Sequence, residues 1–341
     1  MAEFIDFYSA GNVPEDVIDA LYDISPTDVR FTGGIEQQTA SSAKKEWLEH
    51  ALAVPNKDNA AIDAATMTDD STSQGARIAN YCQLTERGIK LGDQAEGSDG
   101  FGSITSFETQ LGYRVSETAR DFEASALSEN ASVVPVASTT AAKSAGFFAF
   151  VKTNTRFGAT TGADGGWNAS TGVVDAPTAG DTEALSETDI HDVLSECNVS
   201  GGQPDQMHMI PQLKTKFSNF MMTSSARIGA IYTPTQGGEG GGATAVASIQ
   251  MFESDYGALE VIANNIMQPE VNTPGSTRTN VALVDTRYWA TATQWSARAK
   301  RLGATGHGES WLVSCSKALC ALNEASSGAV RDIDYEIAMV Q

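Results

Sequence analysis

The sequence is poor in the residues that form disulfide bonds and zinc sites. Its cysteines are Cys82, Cys197, Cys315 and Cys320, four among 341 residues. They are too sparse for a disulfide scaffold, and they lack the CxxC spacing of a zinc site. We expect Cys315 and Cys320 to be thiols that face the core.

Histidine is equally scarce, with four residues, His50, His191, His208 and His307, scattered along the chain. No HExxH or HxxEH helix occurs, so a zinc hydrolase has little support. We expect His208 to pack in a strand rather than to bind a metal. The sequence therefore predicts no metal site.

Basic residues are few. Lysine and arginine total 22 against 43 aspartates and glutamates, which gives a formal net charge of −21 and a pI near 4.4. Phosphate contacts need basic residues, so this balance argues against nucleic acid as a direct ligand.

Long apolar runs are missing as well. The run at 145–151 is among the longest, and it is far too short to span a bilayer. The first twelve residues show no basic region followed by an apolar stretch, so we expect no secretory signal. These features predict a soluble protein made in a reducing cytoplasm.

Motifs for nucleotide binding and nucleophilic catalysis are also missing. The glycines at 237–242 are not followed by the Lys-Ser/Thr of a P-loop, and no GxSxG occurs. Gly306 to Ser310 is expected to be a turn between strands, and Asp69-Asp70 a solvated loop. The sequence therefore predicts no catalytic, cofactor-binding or metal-binding residue.

The first hundred residues have little periodic core pattern. Residues 1–44 indicate an extended arm with one short helix that begins near Pro14, and Gly33-Gly34 is expected to be a flexible joint. Residues 45–95 indicate a hairpin-like excursion with a polar middle at 56–76. A polar segment of this length usually serves function or partner contact.

The segment 103–129 carries the clearest helical pattern. Apolar residues recur at steps of three or four, namely Ile104, Phe107, Leu111, Val115, Ala119, Phe122 and Ala126. Thr105 and Glu108 could form a capping box. The polar face is expected to carry Arg114, Glu117, Arg120, Asp121 and Glu123.

Further elements follow along the chain. Residues 185–189 are expected to open a helix that ends at Gly201-Gly202, and 204–211 to form a short buried strand before a helix over 214–221. The C-terminal part predicts strands at 281–284, 311–315 and 318–322, and a turn at 323–325. The glycine-rich stretches at 162–166 and 237–242 are expected to be flexible loops.

Five blocks in this order carry a resemblance to a known family. They are DALYDISPTDVRF (19–31), ANYCQLTERGIKL (79–91), AKSAGFFAFVKTN (142–154), LSETDIHDVLSECNVSGGQPDQMHMIPQLKTKFSNF (185–220), and the segment 280–330 that opens with NVALVDTRYW. The series resembles the major capsid protein of tailed bacteriophages with a Hong Kong 97-type fold, in the subgroup with SPTDxxF-like N-termini. No family pattern is recognised at 55–76, 160–182 and 234–248.

The resemblance implies an α+β fold with five regions. They are an N-terminal arm at 1–44, an extended β-hairpin loop at 45–100, a peripheral domain with a long spine helix at 101–134, an axial domain at 135–279, and a return to the peripheral domain at 280–341. It implies a structural protein, not an enzyme, that assembles into hexamers and pentamers of an icosahedral head. Double-stranded DNA would be enclosed but not specifically bound, in a virion built in the bacterial cytoplasm.

The partners that the resemblance implies are further copies of the chain, together with scaffolding, portal and cement proteins, and no membrane. Large aromatic and arginine side chains dominate many protein interfaces. The candidate subunit-interface residues are Trp47, Arg77, Arg87, Arg114, Arg120, Trp289 and Trp295. The tryptophans are expected to be buried anchors between packed elements or between subunits, and the arginines to form ion pairs between subunits. The alternative hypothesis is an acidic secreted carbohydrate-binding or adhesive module, which the expected lack of a signal peptide disfavours.

Overall fold

A computed structural model describes residues 29–64, 66, 74–96, 106–158, 161–223, 249–267, 277–303 and 306–340. Four predicted features lie wholly or partly outside these residues: the short helix near Pro14, the Asp69-Asp70 loop, the capping box with Thr105 at the start of the long helix, and the glycine-rich loop at 237–242.

Fourteen strands lie within the described part of the chain. They are β1 (Glu36–Thr39), β2 (Lys44–Glu49), β3 (Ala76–Tyr81), β4 (Gln83–Leu91), β5 (Thr155–Phe157), β6 (Gly166–Asn168), β7 (Val173–Asp175), β8 (Gln206–Met209), β9 (Met251–Ser254), β10 (Gly257–Ala263), β11 (Arg278–Val284), β12 (Trp289–Arg301), β13 (Glu309–Ala321) and β14 (Gly328–Asp334).

The helices of the described residues are α1 (Phe31–Gly34), α2 (Asp93–Glu96), α3 (Phe107–Ala126), α4 (Phe147–Phe150), α5 (Glu187–Val199) and α6 (Pro211–Thr223). Gly33-Gly34 thus belongs to a short helix, and the prediction of a flexible joint there is wrong.

A four-stranded sheet with the order β1-β12-β13-β4 carries α3 on one face. Ile89, Val313 and Cys315 are buried on this helix face, and Trp311 stacks against Phe107 of α3 with ring centroids 4.6 Å apart. β12 and β13 pair as a long antiparallel hairpin. Of the turn expected at Gly306 to Ser310, residues 306–308 lie in the connection, whereas Glu309 and Ser310 already belong to β13. This sheet and its helix form one packed layer pair.

A six-stranded sheet with the order β5-β14-β11-β8-β10-β9 forms the centre of the other half of the chain. Its central strand β11 is buried along its whole length. α5 contributes Ile190, Val193 and Leu194 to the same core, and α4 contributes its three phenylalanines. Burial of this apolar surface drives the folding of this region.

Local signals explain where α5 and α6 begin and end. The Ser186 hydroxyl accepts a hydrogen bond from the Thr188 amide, and Glu187 and Asp189 lie in the first turn of α5. Gly201, at a φ of 87°, follows the helix in the left-handed region. α6 begins at Pro211, three residues before the predicted start at Lys214, because proline is well suited to the first helical position.

β2 and β3 form a separate antiparallel hairpin, as expected for the start of the predicted excursion at 45–95. The predicted return arm at 78–91 is divided, however, because β4 pairs with β13 in the four-stranded sheet. Its base lies over the face of the four-stranded sheet opposite α3. There Trp47 packs against a small cluster that contains Ala290, Ala318 and Cys320.

The C-terminal region 280–341 is divided between the two sheets. β12 and β13 lie in the four-stranded sheet, whereas β11 and β14 lie in the six-stranded sheet. The two predicted strands at 311–315 and 318–322 are one strand, β13, and β12 was not predicted as a strand. A single C-terminal peripheral region therefore does not match the sheet membership of these residues.

Candidate subunit-contact surfaces

The β2–β3 hairpin and the chain that follows β2 expose large apolar side chains. Leu48, Leu52, Val54 and Ile62 are 69%, 88%, 88% and 83% exposed. A two-stranded hairpin has little stability of its own in water, and contiguous exposed apolar surface usually marks a contact site. This surface is called the extended loop here, with residues 44–64 and 74–81 as its described part.

Two candidate interface residues lie in the extended loop. Trp47 is half-buried against Phe150, with ring centroids 6.1 Å apart, and its Nε1 has no hydrogen-bond acceptor among the described residues. Arg77 is mostly exposed and lies 3.6 Å from Glu46 on the neighbouring strand. Trp47 therefore anchors the hairpin base, and Arg77 is open to contact.

The apolar stripe of α3 is covered only towards its C-terminal end. Phe122 and Ala126 are buried, whereas Val115 is 39% exposed and Phe107 and Leu111 are half-buried. The N-terminal half of this helix thus leaves apolar surface that no other described residue of the chain fully covers.

The predicted arginines on and beside α3 already have acidic neighbours. Arg87 donates two hydrogen bonds to Asp121, at 2.8 and 2.7 Å, which raise the pKa of its guanidinium. Arg114 pairs with Glu117 at 2.6 Å. Arg120 lines a cavity of about 300 Å³ beside Asn265 and Ile266. Exposed pairs of this kind contribute little to stability.

The two C-terminal tryptophans occupy different environments. Trp289 is fully buried, stacks against Phe147 at 4.6 Å and donates its Nε1–H to the Ser327 hydroxyl. Trp289 is therefore a buried anchor between packed elements of its own chain, one of the two roles expected for it, and we no longer propose it as a subunit contact. Trp295 is half-buried, and the Arg298 guanidinium lies 4.6 Å from its ring centroid.

Glu123 was predicted to lie on the polar face of the helix, but it is fully buried. Its carboxylate accepts hydrogen bonds from the Phe31 amide at 2.7 Å, the Thr32 amide at 2.8 Å and the Asn264 side chain at 3.0 Å. The buried Glu123 carboxylate thus links Phe31 and Thr32 of the N-terminal arm, the long helix α3, and Asn264, which follows β10. Sequence periodicity gave no signal for it, since its partners lie far away in the chain.

A second buried polar cluster ties the end of α3 to the six-stranded sheet. Arg278 donates to both oxygens of Glu129, at 2.6 and 2.8 Å, and also to Asp332. Burial lowers the pKa of Arg278, but its bonds to Glu129 and Asp332 outweigh burial, and the net shift is upward. Asn280 donates to Glu129 at 2.7 Å. The cluster stabilises the junction between the two halves of the chain.

The cysteines and His208 are core residues. All four cysteines are free and buried, as expected for Cys315 and Cys320, and burial raises the pKa of Cys197 and Cys320 to about 12. His208 packs in β8, as predicted, and burial lowers its pKa to about 4. Within the described ranges, no three metal-ligating side chains converge, and no helix is long and apolar enough to cross a membrane.

The sequence matches a family model described as SU10 major capsid protein over residues 4–334, which is nearly the whole chain. The chain belongs to the SU10 major capsid protein family. The family match decides against the secreted binding module, and it establishes a structural rather than an enzymatic role.

Solved structures show the same fold for this SU10-type capsid protein. The capsid of a native GTA particle matches with a TM-score of 0.59 at 14% identity, over 96% of this chain and 97% of that chain. The structure titled Mycobacterium phage Bobi matches with a TM-score of 0.59 at 9% identity, over 97% and 99%.

The SrpI encapsulin of Synechococcus elongatus PCC 7942 matches with a TM-score of 0.56 at 9% identity, over 100% and 99%. These likenesses confirm the α+β, Hong Kong 97-type capsid fold. No curated protein matches the sequence. As a major capsid protein the chain is located in the virion, where it associates with further copies of itself.

Proposed function

We propose that this capsid protein forms the hexamers and pentamers of an icosahedral tailed-phage head that encloses double-stranded DNA. The observation that carries the proposal is the uncovered apolar surface of the extended loop. Leu52, Val54 and Ile62 are each more than 80% exposed in a chain that otherwise builds its own core. Contact with a neighbouring subunit would remove that surface from water.

The five regions implied by the resemblance remain the proposed organisation, with one change. The N-terminal arm covers 1–44, the extended loop 45–100, the spine helix region 101–134 and the axial domain 135–279. The peripheral domain would take β12 and β13 from the C-terminal region, and the axial domain would take β11 and β14, in agreement with their sheets.

The surface charge supports an enclosing role. A subunit with a net charge of −21 adheres weakly to phosphates, so packaged DNA would be held by confinement rather than by specific contacts. Scaffolding, portal and cement proteins are the further partners that we propose, with synthesis in the cytoplasm of the infected bacterium. Of the residues first chosen from sequence, Trp47, Arg77, Arg87, Arg114, Arg120 and Trp295 remain proposed contacts.

The test is assembly of the full chain, expressed alone and together with the other head proteins of the same virus. Negative-stain electron microscopy and light scattering on one sample would reveal closed shells, or rings of five and six subunits. Such particles in either preparation are the expected result. A homogeneous compact monomer in both preparations would contradict the proposal.

A further inference from the structure

The four-stranded sheet has a second face that is only partly covered. Opposite α3, its proximal half lies under the hairpin base, where Trp47 packs over Ala290, Ala292 and Cys320. The distal half has no covering element among the described residues. Along β4, the two buried residues, Thr85 and Ile89, are on the helix face, whereas the residues on the open face are exposed, namely Leu84, Glu86, Gly88 and Lys90.

Strand register places one set of side chains together on this distal half. Directly opposed residues of an antiparallel pair share a face. On one side of β13, three residues of β12 face it: Trp295 opposes Ser316, Arg298 opposes Ser314, and Lys300 opposes Leu312. On the other side, three residues of β4 face it: Leu84 opposes Ser316, Glu86 opposes Ser314, and Lys90 opposes Ser310. We call this surface the basic open face, defined by Leu84, Glu86, Lys90, Trp295, Arg298, Lys300 and Leu312. Four rows of residues give it a length of about 20 Å.

The basic open face is positive in a strongly acidic protein. It holds three bases and one acid, a balance of 3 − 1 = +2, whereas the whole chain carries −21. Neighbouring Arg301 pairs with Glu309, but neither Lys90 nor Lys300 has a carboxylate partner within the described residues. An occupant of this face would have to supply negative charge.

The surface also has an apolar component. Leu84 is 53% exposed, and Trp295 and Leu312 are half-buried. Double-stranded DNA presents charge but little apolar surface to such a site, and an acidic shell repels it. A segment with both acidic and apolar side chains would complement the face better.

The N-terminal segment of the chain has this composition. Residues 1–28, which lie outside the described structure, contain seven acids and no lysine or arginine. The acids are Glu3, Asp6, Glu15, Asp16, Asp19, Asp23 and Asp28, and apolar residues such as Phe4, Ile18 and Leu21 lie among them. The described extended loop, by contrast, carries four bases and four acids and has no net charge.

The position where this segment joins the fold favours a neighbouring copy as its source. Phe31 and Thr32 are bonded to Glu123 of α3, on the helix face, whereas the basic open face lies on the opposite side of the sheet. A segment of 28 residues spans up to about 90 Å when extended, which is enough to reach an adjacent subunit.

We propose that the basic open face binds the acidic N-terminal segment, residues 1–28, of a second copy of this chain. The inference rests on the proposed function, because it needs subunits that assemble. It adds a receiving surface and a charge pattern to that assembly. Long-range attraction between the two would also speed subunit association and would weaken as salt is added.

The first test reverses charges on the face. In the double variant Lys90→Glu with Lys300→Glu, no ion pair among the described residues is lost, so folding is expected to be unchanged. The concentration for half-maximal assembly, measured by light scattering, should rise about fivefold or more. The control, Lys143→Glu with Lys152→Glu, makes the same charge change at exposed positions elsewhere and should assemble as the unmodified protein does.

A complementary change in the segment makes the test specific. Asp16→Lys with Asp19→Lys should by itself weaken assembly, and it should restore assembly when combined with the reversed face. Absence of any effect of the face variant, or absence of rescue, would overturn the proposal. If the unmodified chain forms no particles, the proposed function fails instead, so the two failures are distinguishable.

Zero-length carbodiimide crosslinking of shells made from mixed ¹⁴N and ¹⁵N subunits identifies the occupant. The expected products join Lys90 or Lys300 to an acid of residues 1–28 with mixed isotope labels. Crosslinks with unmixed labels only, and no mixed products, would assign the site to the segment of the same chain. Crosslinks from Lys90 or Lys300 to Glu49, Asp58 or Asp63 would show that the extended loop occupies the face. If the face variant forms normal shells that fail to retain DNA, nucleic acid would be the occupant. Each of these three results would overturn the proposal.

Discussion

Glu123 shows how one side chain can connect three parts of this capsid subunit. Its buried carboxylate accepts bonds from the Phe31 and Thr32 amides, the Thr32 hydroxyl and Asn264. A buried acceptor that loses its charge leaves its donors unsatisfied, which costs more than the net value of the bonds. Glu123 therefore fixes the start of the described N-terminal region on the long helix.

Replacement of Glu123 by glutamine should lower the free energy of unfolding by about 2 kcal/mol, because an amide has one acceptor oxygen and places an NH₂ group near other donors. Urea unfolding of dilute, unassembled subunits measures the change. Glu108→Gln, an exposed change on the same helix, is the control and should stay within about 0.5 kcal/mol of the unmodified chain. Equal losses in both variants would refute the role assigned to Glu123.

His208 makes the subunit sensitive to acid. Burial, and to a lesser extent the charge of Arg30, lower its folded-state pKa from 6.5 to about 4. The imidazole of His208 binds a proton more readily in the unfolded chain than in the folded one. The contribution of neutral His208 to the unfolding free energy is therefore complete above the unfolded pKa and is lost as pH falls from about 6.5 to 4. Between these limits His208 alone should account for about 3 kcal/mol.

His208→Gln should therefore flatten the dependence of unfolding free energy on pH between about 4 and 6.5, by close to one proton. The measurement is a series of urea titrations across that range. Gln212→Ala, at an exposed position on α6, removes no titratable group, so it is the control and should leave the slope unchanged. If His208→Gln and the unmodified chain show the same slope of unfolding free energy against pH, the role assigned to His208 is contradicted.

At the scale of elements, the sequence predicted those with local signals. α5 is marked by Ser186 at its start and by Gly201 after its end, and the predicted helix is confirmed. β12 was missed because its distal half is exposed on both faces and carries alanines and charges instead of an apolar alternation. Glu123 was misassigned because its partners lie 91 to 141 residues away, a relation that helical periodicity does not contain.

The two glycines that follow the C-terminal end of α5, Gly201 and Gly202, are expected to respond differently to substitution. A Cβ on Gly202 would lie 2.3 Å from the Ser326 carbonyl oxygen, whereas at Gly201 nothing lies within 4 Å but φ is 87°. Gly202→Ala should destabilise the subunit by about 3 kcal/mol through a backbone clash. Gly201→Ala, the comparison, should cost about 1 kcal/mol from backbone conformation alone.

The measurement is the unfolding free energy of Gly201→Ala and Gly202→Ala from urea titrations, compared with that of the unmodified chain. A larger loss at Gly201 than at Gly202 would mean that close packing of the α5 end against the segment at 324–327 does not govern this joint.

The extended loop carries a prediction about assembly alone. Leu52→Asp with Val54→Asp changes two side chains that are each 88% exposed, so the unfolding free energy of the subunit should stay within about 0.5 kcal/mol. Assembly should fail or need about tenfold more protein, since charge would be buried at a subunit contact. Light scattering and urea titration measure the two effects.

Val199→Asp is the matched control for the loop variant, because Val199 is 86% exposed at the end of α5. It should assemble normally. Normal assembly of the loop variant would contradict the contact role of the extended loop.

At the scale of the whole molecule, the chain has a complete core and incomplete surfaces. One large cluster of buried residues joins α4, α5, α6 and the six-stranded sheet, and it gives the subunit a core of its own. Among the residues that the structure describes, nothing fully covers the extended loop, the N-terminal half of α3 or the basic open face. This combination suits a subunit whose neighbours complete it, since closed shells use contacts between unlike patches.

The block order in the sequence indicated the family and the Hong Kong 97-type fold, and both are confirmed. It did not indicate which surfaces stay uncovered, because exposure depends on how distant strands pair. The division of 280–341 between two sheets is an example, since β11 and β14 join strands from earlier in the chain.

The most direct measurement is an electron cryomicroscopy map of assembled particles at side-chain resolution. The account predicts a closed shell of hexamers and pentamers in which Leu52, Val54 and Ile62 are buried against a neighbouring subunit. A shell that leaves these side chains in solvent, or an assembly with no five- or six-membered rings, would contradict it.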